Sequence, residues 1–158
     1  MHRAMTLLIA VLAAALSAAA PAIARDCTTW NAALEELEEG RALVASVCAK
    51  DDERTIVMIR CFPPGLNVRY MPATENEFAN FQRHLILETD EAERPVFVTY
   101  EGLDGAFSAY LPVGHTEVEM LKTGKTVTIR DPQEKAPSHA FSLGGSRQAI
   151  ETLEKSCR

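Results

Sequence analysis

Residues 42–61, ALVASVCAKDDERTIVMIRC, carry the clearest secondary-structure signal in the chain. Two runs rich in β-branched and apolar residues, 42–48 and 55–61, flank the polar tetrapeptide 50–53. This pattern is typical of two antiparallel strands joined by a hairpin turn. The stretch therefore predicts a β-rich fold.

Further β-rich runs follow along the chain and are separated by turn-forming segments with Gly, Pro, Asn and Asp. They lie at 66–70, 84–89, 96–100, 106–111, 126–130 and 140–143. Together with the first hairpin they give about eight short strands, which predict an antiparallel β-sandwich or a small barrel.

An N-terminal helix is predicted immediately before this β-rich region. Thr28 or Thr29 can cap it, and Gly40 is a natural end. Its apolar positions recur at helical spacing, and they are Trp30, Leu34 and Leu37.

Two more helices are predicted, one in the middle and one at the C-terminus. Thr116 is followed three residues later by Glu119, a capping-box spacing that predicts a short helix ending by Gly124. Ser146 can cap the last helix. One face of that helix carries Ala149, Ile150, Leu153 and Cys157. The predicted fold class is therefore mainly β and antiparallel, with an N-terminal, a short middle and a C-terminal helix.

Residues 1–24 predict a cleaved signal peptide. Arg3 supplies the positive charge, 5–20 is an apolar run, and Ala22 and Ala24 are the small residues of a peptidase site. The apolar run is shorter than the roughly 20 residues that a spanning helix needs. We therefore expect one disulfide-bonded β-rich domain over residues 25–158, in the periplasm or secreted, with no membrane span after cleavage.

The chain is acidic, with 16 Lys and Arg against 22 Asp and Glu and a formal net charge of −6. This balance gives no basic surface for a phosphate backbone or an anionic lipid. Nucleic acid is therefore not expected as a partner.

Four cysteines follow the leader, and an even count in an exported domain predicts two disulfides. Cys48 and Cys61 fall at opposite ends of the predicted hairpin, about 20 Å apart at 3.3 Å per residue. A disulfide requires Cα atoms within about 7 Å. The first helix and the strand after it cover similar lengths in opposite directions, which brings Cys27 back to Cys48. The predicted pairs are therefore Cys27–Cys48 and Cys61–Cys157.

No catalytic, cofactor-binding or metal-binding residue is predicted. The histidines of the mature chain, His84, His115 and His139, are isolated and lack the spacing of metal ligands. Ser146 follows two glycines but lacks the Gly-x-Ser-x-Gly pattern of a nucleophile elbow. Asp104 and Glu101 lie in a glycine-rich turn, where Asp is common for backbone reasons.

Most aromatic residues fall in or beside predicted strands, which is typical of core positions. They are Tyr70, Phe78, Phe81, Phe97, Tyr100, Phe107, Tyr110 and Phe141. A solvent-facing subset would instead form a surface for a ligand or a protein partner.

The C-terminal part resembles a known family. LKTGK at 121–125 precedes the strand 126–130, and FSLGGS at 141–146 precedes the amphipathic helix that ends at Cys157. This order is similar to that of invasion-associated locus B-type proteins, small exported envelope proteins of alphaproteobacteria, over residues 95–157. The resemblance implies a non-enzymatic periplasmic β-sandwich linked to envelope or host interaction.

The sequence thus favours an exported, non-catalytic envelope or periplasmic domain that binds an unknown protein or envelope component without a cofactor. One alternative is an inhibitor of a hydrolase such as lysozyme, because opposite charge speeds encounter with a basic enzyme. The other is a small hydrolase, which requires His84, His115 or His139 to meet a carboxylate in a pocket.

Overall fold

The structure, a computed structural model, describes residues 27–37, 40–74 and 82–157. The leader and its cleavage site lie outside these residues and remain predictions. Within the described residues, no helix is long and apolar enough to cross a membrane.

The described chain forms one antiparallel sheet and two helices. The strands are β1 Asn31–Leu37, β2 Gly40–Cys48, β3 Ile56–Phe62, β4 Gly65–Met71, β5 Gln82–Thr89, β6 Glu93–Glu101, β7 Ala106–Pro112, β8 Thr126–Arg130 and β9 His139–Ser142. The helices are α1 Thr116–Leu121 and α2 Ser146–Ser156. The strand order is β1-β2-β3-β4-β7-β6-β5-β8-β9. The mainly β, antiparallel class is therefore confirmed.

The predicted first hairpin is confirmed as β2 and β3, which pair from Cys48↔Ile56 to Val44↔Arg60. In its turn, Asp52 accepts hydrogen bonds from the backbone N–H of Arg54 (3.1 Å) and the hydroxyl of Thr55 (3.2 Å). An Asp side chain that bonds its own turn in this way favours the reversal of the chain.

The sheet curls so that its last strand returns towards β2. A single bridge joins Ala49 to Phe141 of β9, and the N–H of Lys50 donates to the carbonyl of Ala140 at 2.8 Å. Alternate residues of each strand, such as Val57 and Ile59 of β3, face one buried apolar core. Helix α2 packs against β1, β2 and β3.

The predicted N-terminal helix is wrong, because Asn31–Leu37 is strand β1. All seven of its residues pair with β2, from Asn31↔Ser46 to Leu37↔Gly40. The indole N–H of Trp30 donates to the carbonyl of Ser142 at 2.8 Å and fixes the entry to the strand. Pairing with the next strand therefore overrides a weak local helical pattern. Leu34, assigned by that pattern to a buried face, is 61% exposed.

The middle and C-terminal helices are confirmed as α1 and α2, but their predicted caps are wrong. Helix α1 is preceded by His115 and α2 by Gly145, and neither residue makes a side-chain capping bond. The hydroxyl of Ser146 instead donates to the carbonyl of Leu143 at 2.8 Å. Gly145 has φ +81°, and a Cβ there would lie 2.9 Å from the carbonyl oxygen of Trp30. The tight connection before α2 therefore requires glycine.

The four cysteines lie in the two predicted pairs. The Cα atoms of Cys27 and Cys48 are 5.2 Å apart, and those of Cys61 and Cys157 are 5.4 Å apart. Both separations fit a disulfide bond. The first pair secures the start of β1 to the end of β2, and the second joins β3 to the end of α2.

A buried ion pair joins β5 to the loop after β8. Arg83 contacts the carboxylate of Asp131, whose side chain is 1% exposed. Burial acts to raise the pKa of Asp131. Hydrogen bonds from the N–H groups of Gln133 and Ala136, together with the charge of Arg83, outweigh it and leave this pKa below its ordinary value.

The Asp131→Asn variant is expected to lose about 2 kcal/mol of unfolding free energy at pH 7, because its amide carries no charge for Arg83. A carboxylate with a lowered folded-state pKa stabilises the protein above its unfolded pKa and loses that effect as the pH falls. Urea unfolding should therefore show a constant difference from wild type above about pH 5 that shrinks below about pH 4. A difference that stays the same down to pH 2.5 would contradict this role.

Candidate functional site

Strands β6 and β7 separate along most of their length and leave an opening in the sheet. Their ladder contains only Thr99↔Ser108, Tyr100↔Phe107 and Glu101↔Ala106. Strand β6 stays paired to β5 and β7 to β4 over much longer ladders, so each strand is held from its other side. We call this gap the β6–β7 opening.

A cavity of about 430 Å³ occupies the β6–β7 opening. Its wall combines apolar side chains of β6 and β7 with polar groups from three regions of the chain. The polar lining residues are His84, Thr99, Ser108, Tyr110, His115 and Glu117. Because His84 lies on β5 and His115 and Glu117 lie at the start of α1, only the folded sheet brings these groups together.

Glu117 places a largely buried carboxylate in the wall of the opening. Its side chain is 14% exposed, and Nδ1 of the half-exposed His115 lies within ion-pair range of its Oε2 atom. Oε2 is buried, and the His115 imidazole is the polar group in contact with it among the described residues. Glu117 also borders a small apolar core cavity of about 30 Å³. The carboxylate therefore lies between the opening and the apolar interior, with the His115 imidazole beside it.

Ser108 places a buried hydroxyl group in the same wall. The residue is 2% exposed, and its Oγ atom has no hydrogen-bond partner within the described part of the chain. Buried hydroxyl groups are normally satisfied, so an exception at a cavity wall is a feature that a ligand can use.

The outer rim of the opening is aromatic. Phe97 is 52% exposed and lies directly opposite His84 in the β5–β6 ladder. Their ring centroids are 5.4 Å apart in an edge-to-face arrangement. Tyr110, on β7, lines the same opening. Two exposed aromatic rings therefore belong to its lining.

A second cavity of about 290 Å³ adjoins the opening and is almost entirely apolar. We call it the Phe62–Tyr110 groove, and it is lined by Phe62, Pro64, Gly65, Leu66, Tyr110, Leu111 and Pro112. The rings of Phe62 and Tyr110 are about half-exposed, with centroids 4.9 Å apart at 62°. Tyr110 and Leu111 line both cavities, so the two form one continuous surface.

The backbone of the groove is closely packed at Gly65. A Cβ at this position would lie 2.5 Å from the carbonyl oxygen of Leu111 on β7. Strands β4 and β7 pair from Gly65↔Pro112 to Tyr70↔Phe107, so a complete ladder holds this wall. Glycine therefore allows the close approach on which the groove is built.

A partly exposed charge network around the buried Arg69 anchors Tyr110. Its hydroxyl donates to Glu101 at 3.3 Å, and burial, followed by the charge of Glu101, raises the pKa of this phenol. Arg69 donates to Glu101 at 2.8 Å and to Asp104 at 2.6 Å. The two turn carboxylates considered in the sequence are thus ion-pair partners of a buried arginine.

The structure brings together two of the three histidines. His84 and His115 share the β6–β7 opening, whereas Nδ1 of His139 lies 3.1 Å from Asp51 Oδ1. Hydrogen bonding to His139 lowers the pKa of Asp51. The described residues contain no group of three side chains suited to a metal ion.

Sequence reasoning missed Phe62, Ser108 and Glu117. Of the aromatic residues it considered, Tyr70, Tyr100, Phe107 and Phe141 are buried, and Phe97 and Tyr110 are exposed. Phe78 and Phe81 lie outside the described residues. The signal for Phe62 was present, because an aromatic residue directly before Pro-Pro-Gly lies at the end of a strand, next to a turn.

No protein-family model matches the chain. Curated proteins give no significant match, and neither do solved structures. The resemblance to invasion-associated locus B-type proteins therefore stays a prediction.

Proposed function

We propose that this protein is an exported, non-catalytic domain of the periplasm or cell envelope that binds another protein through the Phe62–Tyr110 groove. The observation that carries the proposal is the pair of half-exposed, contacting aromatic rings at an apolar cavity. Exposed aromatic and apolar side chains that line a concave surface are typical of binding sites.

The groove has the composition of a binding hot spot. Tyrosine is enriched among residues that dominate interface energies, and such residues fill well-packed pockets at the centre of an interface. Phe62 and Tyr110 are 49% and 53% exposed, so each presents about half of its surface to a partner. A partner that presents an apolar segment fits this lining better than a nucleic acid, since the groove carries no positive charge.

The groove is also prepared for binding before a partner arrives. The β4–β7 ladder fixes its floor, and the bond from Tyr110 to Glu101 holds one of its rings. A rigid surface avoids part of the entropy cost of association. The curled sheet, joined from Phe141 to Ala49, supports the small barrel expected from the sequence as the scaffold for this surface.

The Phe62→Ala/Tyr110→Ala double variant is expected to lose partner binding, because truncation of two central aromatic residues costs about 2 kcal/mol or more each. The measurement is crosslinking capture from envelope extract with the mature, oxidised protein as bait, followed by titration of the dominant captured protein. If the two losses add, the affinity of the double variant should fall by about 700-fold.

The matched control is the Leu34→Ala/Leu103→Ala double variant. These leucines are 61% and 105% exposed and do not line the groove. The control should bind the captured protein like the wild type. Equal losses in both double variants, or no loss in either, would refute the groove as the binding surface.

The inhibitor alternative is a special case of this proposal in which the bound protein is a hydrolase. An assay of lysozyme with micromolar protein tests that case, and an unchanged rate excludes it. The acidic net charge of the chain favours encounter with a basic enzyme.

A small hydrolase is the second candidate, favoured by the convergence of His84, His115 and Glu117 at one cavity. Nucleophilic catalysis requires a hydroxyl within hydrogen-bond reach of its base. Among the described residues the Ser108 hydroxyl makes no such bond. The geometry therefore supports binding better than catalysis.

A further inference from the structure

The β6–β7 opening has a charge character of its own, distinct from that of the apolar groove. Its lining contains one carboxylate, Glu117, and two imidazoles, but no Lys or Arg among the described residues. Oε2 of Glu117 is buried, and its polar contact among the described residues is with the half-exposed His115 imidazole. A carboxylate in such a place gains most from a cationic hydrogen-bond donor.

The aromatic rim favours the same kind of ligand. Phe97 and Tyr110 belong to the lining and are about half-exposed. Aromatic faces attract organic cations, particularly ammonium groups, through the ring quadrupole. The apolar residues Pro95, Val96 and Leu111 of the same wall offer contact to a hydrocarbon stem.

Hydrogen-bond capacity also matches an ammonium group. A primary ammonium has three donors and no acceptor. Besides Glu117, the wall offers the hydroxyl of Ser108, which is unpartnered among the described residues, and the hydroxyl of Thr99. A carboxylate-bearing ligand would instead face the like charge of Glu117.

We propose that the β6–β7 opening binds a primary ammonium group on an apolar stem, with Glu117 as its counter-ion and Phe97 and Tyr110 flanking the stem. The ammonium displaces the His115 imidazole from Glu117 and donates to the carboxylate. This site adjoins the Phe62–Tyr110 groove and shares Tyr110 and Leu111 with it. The group can belong to a free amine or to a lysine side chain.

Hexylammonium chloride is the direct probe. Sodium hexanoate and 1-hexanol are the comparison compounds, because they carry a negative and a neutral head group on a similar hydrocarbon stem. Binding is measured at pH 7 from the imidazole proton shifts of His84 and His115, which report on the opening itself. The ammonium should bind at least about tenfold more tightly than either comparison compound. Equal or tighter binding of hexanoate or hexanol would overturn the proposal.

Two variants test the named residues. Glu117→Gln keeps the size of the side chain and removes its charge, and it should weaken hexylammonium binding at least about tenfold. Phe97→Leu removes an exposed aromatic ring of the rim, so it tests the rim without a change in the core. It should weaken hexylammonium binding a few-fold. Unchanged affinity in folded Phe97→Leu and in folded Glu117→Gln would contradict the assignment.

The Phe62→Ala single variant separates this site from the proposed protein-binding groove, because Phe62 lines only the groove. This variant should bind hexylammonium with wild-type affinity, although its affinity for the captured protein falls. Loss of amine binding in this variant would count against a separate site.

The source of the ammonium group is distinguished with Nα-acetyl-lysine-N-methylamide and its Nε-acetylated counterpart. Binding of only the charged form identifies a lysine side chain of a partner as a source. Binding of hexylammonium without binding of the lysine derivative identifies a free amine. If neither amine binds, the proposal fails.

Discussion

Simultaneous replacement of Cys61 and Cys157 by alanine is expected to lower the free energy of unfolding by about 4.7 kcal/mol. The two residues are 96 positions apart, and their bond joins β3 to the end of α2. A crosslink across so long a loop removes much of the conformational entropy of the unfolded chain.

The matched comparison is the Cys27→Ala/Cys48→Ala variant, whose residues are 21 positions apart. Its expected loss is about 3.3 kcal/mol from the same loop-length relation. Urea unfolding can be followed through Trp30, the single tryptophan, which is buried. A larger loss from the shorter loop, or peptide mapping that joins Cys48 to Cys61, would contradict the pairing.

The Lys122→Met variant is expected to lose about 4 kcal/mol, because it leaves the buried carboxylate of Glu154 without its counter-charge. Nζ of Lys122 donates to both oxygens of Glu154 at 2.8 Å and to Glu119 at 2.6 Å. Burial acts to lower the pKa of Lys122. The hydrogen bonds to Glu119 and Glu154 outweigh burial and leave this pKa above its ordinary value.

The Lys122→Met/Glu154→Leu double variant is the control. It removes both buried charges, and replacement of a buried ion pair by apolar residues is often nearly neutral. We expect the double variant to recover most of the lost stability in thermal unfolding. If it is no more stable than Lys122→Met, loss of packing rather than an unpaired charge is the cause. The pair also joins the end of α1 to α2, and α1 carries Glu117 of the opening.

The local features of the fold could be predicted where the sequence carries a local reason. The hairpin at 42–61 has β-rich flanks and a turn whose Asp52 bonds its own backbone. Helix α2 has an apolar stripe, and Ala149, Ile150 and Leu153 are buried as that stripe requires. Each signal lies within a single segment, 42–61 or helix α2, so it can be recognised without knowledge of the rest of the chain.

The N-terminal segment could not be predicted because distant contacts determine it. Trp30 and Leu34 have helical spacing, but the strand is held by β2 and by the bond from Trp30 to Ser142. The cysteine pairing was nevertheless expected correctly in outline. A helix or a strand from Cys27 that is followed by a returning strand brings the chain back to Cys48.

The candidate sites could be predicted even less, since both depend on contacts between distant strands. The β6–β7 opening exists because a ladder stops after Thr99↔Ser108. His84 and His115 meet only because β5 and the start of α1 lie on either side of the opening. In the groove, Phe62 reaches Tyr110 through the β4–β7 pairing.

The most direct test of the account is to map the surface by which the ¹⁵N-labelled mature protein contacts its captured partner. Amide chemical shifts should change most at the groove residues that carry a backbone N–H, which are Phe62, Gly65, Leu66, Tyr110 and Leu111. Shifts concentrated on β1 around Leu34, with the groove unchanged, would contradict the proposal that this domain binds through its aromatic groove.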